Sequence, residues 1–392
     1  MREEWEWSER FARQPEIERY FNHVVDRSYL RRDIRFGAKM VSATWYETTG
    51  LWTVRTADGT EVRARFPVAA TGILSVPHIP DIPGRAGFRG DQHHTGLWPK
   101  TPVDFAGKRV ALIGTGSSGV QLVPALAGEV ASLTVQQRTP DWCIPLNNNG
   151  PLSAEEQAQL KADYERIRDT LNPSPSGFPH TINMRKAAED SAQDRPEFYE
   201  KMRKGPDFTK LTENCLDMLT DPAVNAEWCE FTVRKIRAIV ADPETAGKLI
   251  PNDHYEAYNN PNVSLVSLLD DPNVLITETG IETAAGAQGF DIIIWATGYD
   301  FGTGALNRVG VRGREGLALE EHWADRPRTF SRNGDRRLPE LLLPRRPHGA
   351  LGDNPRYPGD QVYFGVDALV HTRDHGYDVV EVTIRPRKRG RP

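Results

Sequence analysis

The spacing of apolar positions along the chain changes several times, and each change marks an element. Between Glu9 and His23, Phe11, Ile17, Tyr20 and Phe21 recur at helical spacing. Ile34 to Trp45 reads as extended. Trp52–Thr56 and Glu61–Arg65 alternate with period two around Ala57-Asp58-Gly59-Thr60, which predicts a hairpin with a glycine-containing turn. After Pro67, Val68–Gly72 predicts a short buried strand that runs into a glycine turn. Pro77 to Pro102 is rich in Pro, Gly and His and reads as loop. Lys108–Ile113, apolar from Val110 to Ile113, predicts a buried strand. Gly114–Gly119 is a turn, Val120–Ala127 a helix interrupted early by Pro124, and Ser132–Val135 the next strand. Strand, glycine turn, helix and strand make a right-handed parallel crossover.

From about Pro151 to Lys248 the sequence is charged and helical in period, as in Ala154–Thr170 and Ala223–Val240. It reads as an insertion in the nucleotide-binding domain. Asn262 to Asp300 returns to short strands and ends in Phe290–Gly298, apolar on both faces as in a parallel sheet. About ninety further residues, clustered in Arg, Pro and Gly, resist assignment.

Composition adds mainly exclusions. The 392 residues are 38% hydrophobic and 26% charged with a net charge of −5, which points to neither nucleic acid nor a membrane surface as partner. Met1–Trp7 is dense in charge and does not read as a signal peptide, and no apolar run reaches the roughly 18 residues of a membrane span. Cys143, Cys215 and Cys229 show no CxxC spacing, so free thiols in a reducing cytoplasm and no metal site are expected. The Arg385–Pro392 tail is basic and reads as a disordered end.

Gly114-Thr115-Gly116-Ser117-Ser118-Gly119 fits G-x-G-x-x-G in the required place, after a strand and at a helix start. The first glycine permits the turn, the second lets a pyrophosphate approach and the third lets helix and strand close up. Gln121 lies in the first turns of that helix. At the end of the second strand an NAD site would carry an acidic residue. This chain has Gln136-Gln137-Arg138-Thr139, and Arg138 with Thr139 can bind a 2′-phosphate. The expectation is NADP(H).

Phe88-Arg89-Gly90-Asp91-Gln92-His93-His94-Thr95-Gly96-Leu97-Trp98-Pro99 resembles the fingerprint of Baeyer–Villiger flavin monooxygenases, F-x-G-x-x-x-H-x-x-x-W-P, at Phe88, Gly90, His94, Trp98 and Pro99. Ala70-Thr71-Gly72 and Ala296-Thr297-Gly298 resemble the turns through which that family passes between its FAD and NADP domains. The resemblance extends from Trp5 to about Tyr377. It implies an α/β protein with two Rossmann-like dinucleotide-binding domains, the FAD one incomplete. Residues 1–82 and 300–392 would supply the FAD domain, and 83–299 the NADP domain with its insertion at about 151–248. It also implies FAD and NADP(H) as cofactors, and a ketone and O2 as substrates, with an ester or lactone as product. His94 and Trp98 read as linker residues or as pins of the linker, and not as acid–base catalysts.

The chain departs from the family in three places. It lacks a first G-x-G-x-x-G for FAD, so an N-terminally truncated member is expected. Pro251-Asn252-Asp253-His254-Tyr255-Glu256 lacks the stretch that carries the family's catalytic arginine, which leaves that role unassigned between Asp253 and Tyr255. Arg328–Pro347 loses the family pattern, which resumes at His348–Asn354, as a pair of compensating frameshifts would produce. Two rival readings therefore stand beside the monooxygenase: an inactive NADP(H)-binding fragment, and a flavin enzyme that oxygenates nitrogen or sulfur.

Overall fold

The computed structural model describes residues 4–324 except 73, 141–144, 146, 148, 149, 172–182, 192, 206–209, 211, 212, 251–258, 269–273 and 302. Cys143, the Pro251–Glu256 segment, Arg328–Pro347 and the basic tail lie outside the described residues. The chain forms two compact units, one from Met1–Val76, Asn149–Pro179 and Asp300–Pro392, the other from Pro77–Asn148 and His180–Tyr299. Among the described residues no helix is long and apolar enough to cross a membrane.

The first unit opens on α1 (Gln14–Arg27), with Pro15 in its first turn. This helix begins and ends later than its apolar spacing predicts. Ser8 donates its backbone N–H and its hydroxyl to the buried Glu16 carboxylate, which folds the preceding residues back on the helix instead of extending it. Trp5 and Trp7 pack on Tyr20 from that folded-back segment. β1 (Met40–Tyr46), β2 (Leu51–Thr56) and β3 (Glu61–Ala64) form an antiparallel meander, and Gly59 supplies a positive φ of 83° in the predicted hairpin turn. A short strand at Gly310–Arg312 runs parallel to β1. Trp52, Ala43, Leu306, Val311, Leu319 and Trp323 close the core. Val68–Gly72 does not form the predicted strand. Ala70 N–H turns back to the Val68 carbonyl, and Gly72 adopts φ 72°, which ends any extended run. Helices at Ala154–Ala162 and Tyr164–Leu171 also belong to this unit, the former started by a Ser153/Glu156 capping box.

The second unit carries β4 (Asp91–His94), β5 (Arg109–Ile113), β6 (Ser132–Gln137), β7 (Val263–Ser267), β8 (Leu275–Thr277), β9 (Gly280–Thr283), β10 (Gly286–Gly289) and β11 (Ile292–Trp295). A five-stranded sheet has the order β4-β11-β5-β6-β7, with every neighbouring pair parallel, and β8, β9 and β10 form a small antiparallel sheet. The predicted crossover is therefore present. β4 corrects the reading of Pro77–Pro102 as loop. Asp91-Gln92-His93-His94 has no apolar alternation because it is an edge strand, paired in this sheet with β11 alone.

β5 and β11 are buried on both faces, as their continuous apolar runs predict. On one face α2 (Ser117–Leu126) packs Val123 and Leu126 against Val110, Leu112, Leu133, Val135, Ile292 and Ile294. On the other, Ala111, Ile113, Ile293 and Trp295 meet Phe88, Ile276, Ile281 and Phe290. α2 starts three residues earlier than the pattern suggests and runs through Pro124. The pyrrolidine sits on the exposed side near the helix end, where one missing N–H bond is tolerated. Three further helices, α3 (Arg195–Lys204), α4 (Pro222–Ile239) and α5 (Pro243–Leu249), belong to this unit. Tyr199, Met202, Trp228 and Phe231 form a core of their own between α3 and α4.

Candidate functional site

The order of the parallel sheet locates the site. From β5 the chain proceeds to β6 and β7 on one side, whereas β11 and β4 lie on the other. The strand order thus reverses between β5 and β11, and in open parallel sheets ligands bind outside the carboxyl ends of the strands at such a point. The carboxyl ends here are Gly114 after β5 and Ala296 after β11. Ile113 is in register with both Trp295 and Gln136, and Trp295 with His94.

Gly114 adopts φ 106°, and a Cβ there would run into the Ala296 carbonyl. Its N–H is fixed by the Gln136 carbonyl at 2.9 Å. A Cβ on Gly119 would collide with the Gly114 carbonyl, so this glycine is what lets α2 approach the end of β5. Gly116 is the N-cap of α2 and makes no side-chain cap hydrogen bond, and the first turn carries no acidic residue. Ser117 and Ser118 open that turn, so its N–H groups and the positive end of the helix dipole are left for an anion. The buried Thr115 donates its hydroxyl to the Thr139 carbonyl at 3.3 Å, which ties the loop to the end of β6. Gln121 turns back to the Ser117 carbonyl at 2.8 Å. Arg138 and Thr139 are exposed just past β6, and Arg138 pairs with no described residue.

The fingerprint residues gather on the β11 side. Phe88 is buried against the core. Gly90 is required because a Cβ would meet the Asp291 carbonyl and the Phe88 ring. His94, at the end of β4, is 3% exposed. Its Nδ1 accepts from Gly96 N–H at 2.9 Å, so Nε2 carries the proton and donates to the Gly298 carbonyl at 3.1 Å. Burial pushes the imidazole pKa below its ordinary value, against the opposing effect of its backbone hydrogen bonds. His94 is thus a neutral bridge between two turns. Trp98 stacks on Phe105 and lies beside His93, and Pro99 follows half-buried.

The Ala296-Thr297-Gly298 turn is held from a second direction. His78 donates its N–H to the Gly298 carbonyl at 3.0 Å, and Thr297 returns its hydroxyl to the His78 carbonyl. Gly298 adopts φ 77°. His78, Gln92, which accepts from Trp295 Nε1 at 3.2 Å, and Tyr299 were not among the residues singled out from the sequence. Their partners are far away in the chain, and the sequence pointed to this place only through the Ala-Thr-Gly turn directly before Tyr299 and the fingerprint stretch that contains Gln92.

The Gly114–Gly119 loop, Arg138, Thr139, His94 and Ala296–Gly298 thus fall at the carboxyl end of one sheet, whereas Phe88 and Gly90 lie at its amino end, before β4, and Ala70-Thr71-Gly72 belongs to the first unit. Among the described residues no group of three or more His, Cys, Asp or Glu side chains is placed to hold a metal.

Comparison with known proteins agrees with this geometry. The model of the flavin-binding monooxygenase-like family matches residues 6–150. The 2-oxo-Δ3-4,5,5-trimethylcyclopentenylacetyl-CoA monooxygenase of Pseudomonas putida is 36% identical over 97% of this chain and 73% of its own length. Acetone monooxygenase (methyl acetate-forming) of Gordonia sp. strain TY-5 is 36% identical over 97% of this chain and 74% of its own. A crystal structure of OTEMO in complex with FAD and NADP superposes with a TM-score of 0.83 at 38% identity, covering 86% of this chain and 67% of that one. By these likenesses and by its fingerprint, the chain belongs to the flavin-binding monooxygenase family, among the Baeyer–Villiger monooxygenases.

Proposed function

We propose that the protein is an FAD- and NADPH-dependent monooxygenase that inserts one oxygen atom of O2 beside a ketone carbonyl. In sum, ketone, O2, NADPH and a proton give ester or lactone, water and NADP+. The observation that carries this reading is the juxtaposition in one sheet of the Gly114–Gly119 loop and the fingerprint His94 bonded to Gly298. When bound, NADPH supplies hydride and FAD supplies the activation of oxygen.

The second unit fits NADP(H). Gly114 and Gly119 keep a cradle that side chains would fill, and the uncapped α2 start offers N–H donors to the pyrophosphate. Arg138, exposed at the end of β6, is available to a 2′-phosphate through charge-assisted hydrogen bonds. Thr139 holds the loop through its carbonyl and is exposed next to Arg138 in the chain. His94 and Gly298 fix the turns on the other side of the switch point. No described residue of the first unit is assigned to FAD, which enters from the family and from the FAD in the OTEMO complex. The acetone monooxygenase, named for forming methyl acetate from a ketone, supports the ketone-to-ester reaction as the class of chemistry.

The test is reconstitution of the purified chain with FAD. It is expected to give a flavin spectrum, NADPH oxidation stimulated by ketones, and an ester or lactone seen by mass spectrometry. NADPH binding without oxidation supports the inactive-fragment reading. Oxygenation of thioethers or amines without lactone formation supports the nitrogen or sulfur enzyme.

A further inference from the structure

We propose that Tyr299 is a positioning residue for the nicotinamide half of NADP(H), acting through two turns that its ring holds together. The inference rests on the NADP(H) reading above. Arg138 ends β6, so the 2′-phosphate end of the dinucleotide belongs on the β6 side, with the pyrophosphate at Gly114–Gly119. The other half then crosses the switch point to the ends of β11 and β4. The backbone there consists of the Thr95–Leu97 turn and the Ala296–Gly298 turn.

These two turns are joined by His94, which contacts both: Gly96 N–H at Nδ1 and the Gly298 carbonyl at Nε2. Two hydrogen bonds in the plane of an imidazole leave its faces to be fixed by packing. Tyr299 does this, with its ring edge-on to His94 at 5.8 Å between centroids and 83° between planes. The same ring fills the space that a Cβ on Gly96 would occupy, touching that position with its hydroxyl and ring carbons. Tyr299 is thus wedged between the imidazole and the Gly96 backbone. Without the ring, His94 gains room to tilt and Gly96 N–H loses its fixed acceptor. The contact with His94 is made by the aromatic ring, which phenylalanine keeps.

Calorimetric titration with NADPH and with 2′,5′-ADP, which has the 2′-phosphate but no nicotinamide, tests this. Tyr299→Leu is expected to weaken NADPH by about tenfold or more while 2′,5′-ADP stays within about twofold. Tyr299→Phe is expected to bind both as the wild type does. Gly96→Ala probes the same packing from the other side without emptying the core, and the same selective loss of NADPH is expected. Equal loss of both ligands in Tyr299→Leu and Gly96→Ala, no loss in either, or a Tyr299→Phe that behaves like Tyr299→Leu overturns the proposal. A wild type that binds neither ligand overturns the NADP(H) reading itself, and a wild type that binds both separates the two questions.

Discussion

The His94 imidazole and the Gly298 carbonyl oxygen, 204 positions apart in the chain, lie 3.1 Å apart. The bond joins the end of the edge strand β4 to the turn after β11, the strand it pairs with. It gives the fingerprint histidine a structural task, as a neutral donor between two backbone turns. Proton transfer is not needed to account for its place.

This neutrality makes stability depend on pH. Burial lowers the His94 pKa in the folded protein, so the unfolded chain binds a proton at higher pH than the native state does. The contribution is complete above about pH 6.5, the unfolded value, and is lost as pH falls from there through the folded value. Protonation also displaces the Gly96 N–H from Nδ1. Thermal unfolding midpoints between about pH 5 and about pH 8 should fall more steeply for the wild type than for His94→Gln. Parallel profiles would show that His94 does not carry this dependence.

Arg138→Ala should cost NADPH about 1.5 to 3 kcal/mol of binding, on the order of ten- to a hundredfold. NADH lacks the 2′-phosphate and should bind the variant about as well as the wild type. Dissociation constants for both cofactors, measured by fluorescence titration, check this, and equal losses would refute the 2′-phosphate assignment.

Gly119→Ala places a methyl group against the backbone carbonyl of Gly114, which has no free side-chain end to move aside. The helix must shift from β5, at a cost of about 1 to 3 kcal/mol, and NADPH binding should be lost with it. Gly128→Ala is the control, since nothing lies within 4 Å of that position. A Gly119→Ala protein that melts and binds NADPH like Gly128→Ala would contradict the close approach.

Arg109 and Asp291 staple the starts of β5 and β11. The guanidinium donates at 2.8 and 3.1 Å, and Arg109 N–H donates at 2.8 Å to the same carboxylate. These bonds hold the Asp291 carboxyl at about 2, below its ordinary 3.8. Because the pair is partly exposed, Asp291→Asn should cost only about 1 kcal/mol near neutral pH. The folded pKa is depressed, so the stabilisation is present above the unfolded value and is lost as pH falls toward about 2. Denaturant titrations should show the gap between wild type and variant closing over that range. A gap that persists in acid would assign the effect to packing.

Much of the second unit was legible because its signals are local. Continuous apolar runs name β5 and β11 as buried strands, and glycine spacing between strand and helix names the turn from β5 into α2. Arg138 follows from its place at the end of the next strand. The hairpin around Gly59 was legible for the same reason, since its strands are neighbours in sequence.

What the sequence by itself determined, then, is the β5–α2–β6 unit and its glycine loop, with Arg138 just past the end of β6, together with the family through Phe88, Gly90, His94, Trp98 and Pro99. Only the tertiary structure decided that Asp91–His94 is a strand, since a polar edge strand has no period of its own and takes its hydrogen bonds from β11. It alone brought Gly298 to His94 and wedged Tyr299 against Gly96. Parallel strands are joined by long crossovers, so their neighbours lie far apart in the chain, beyond the reach of any local pattern.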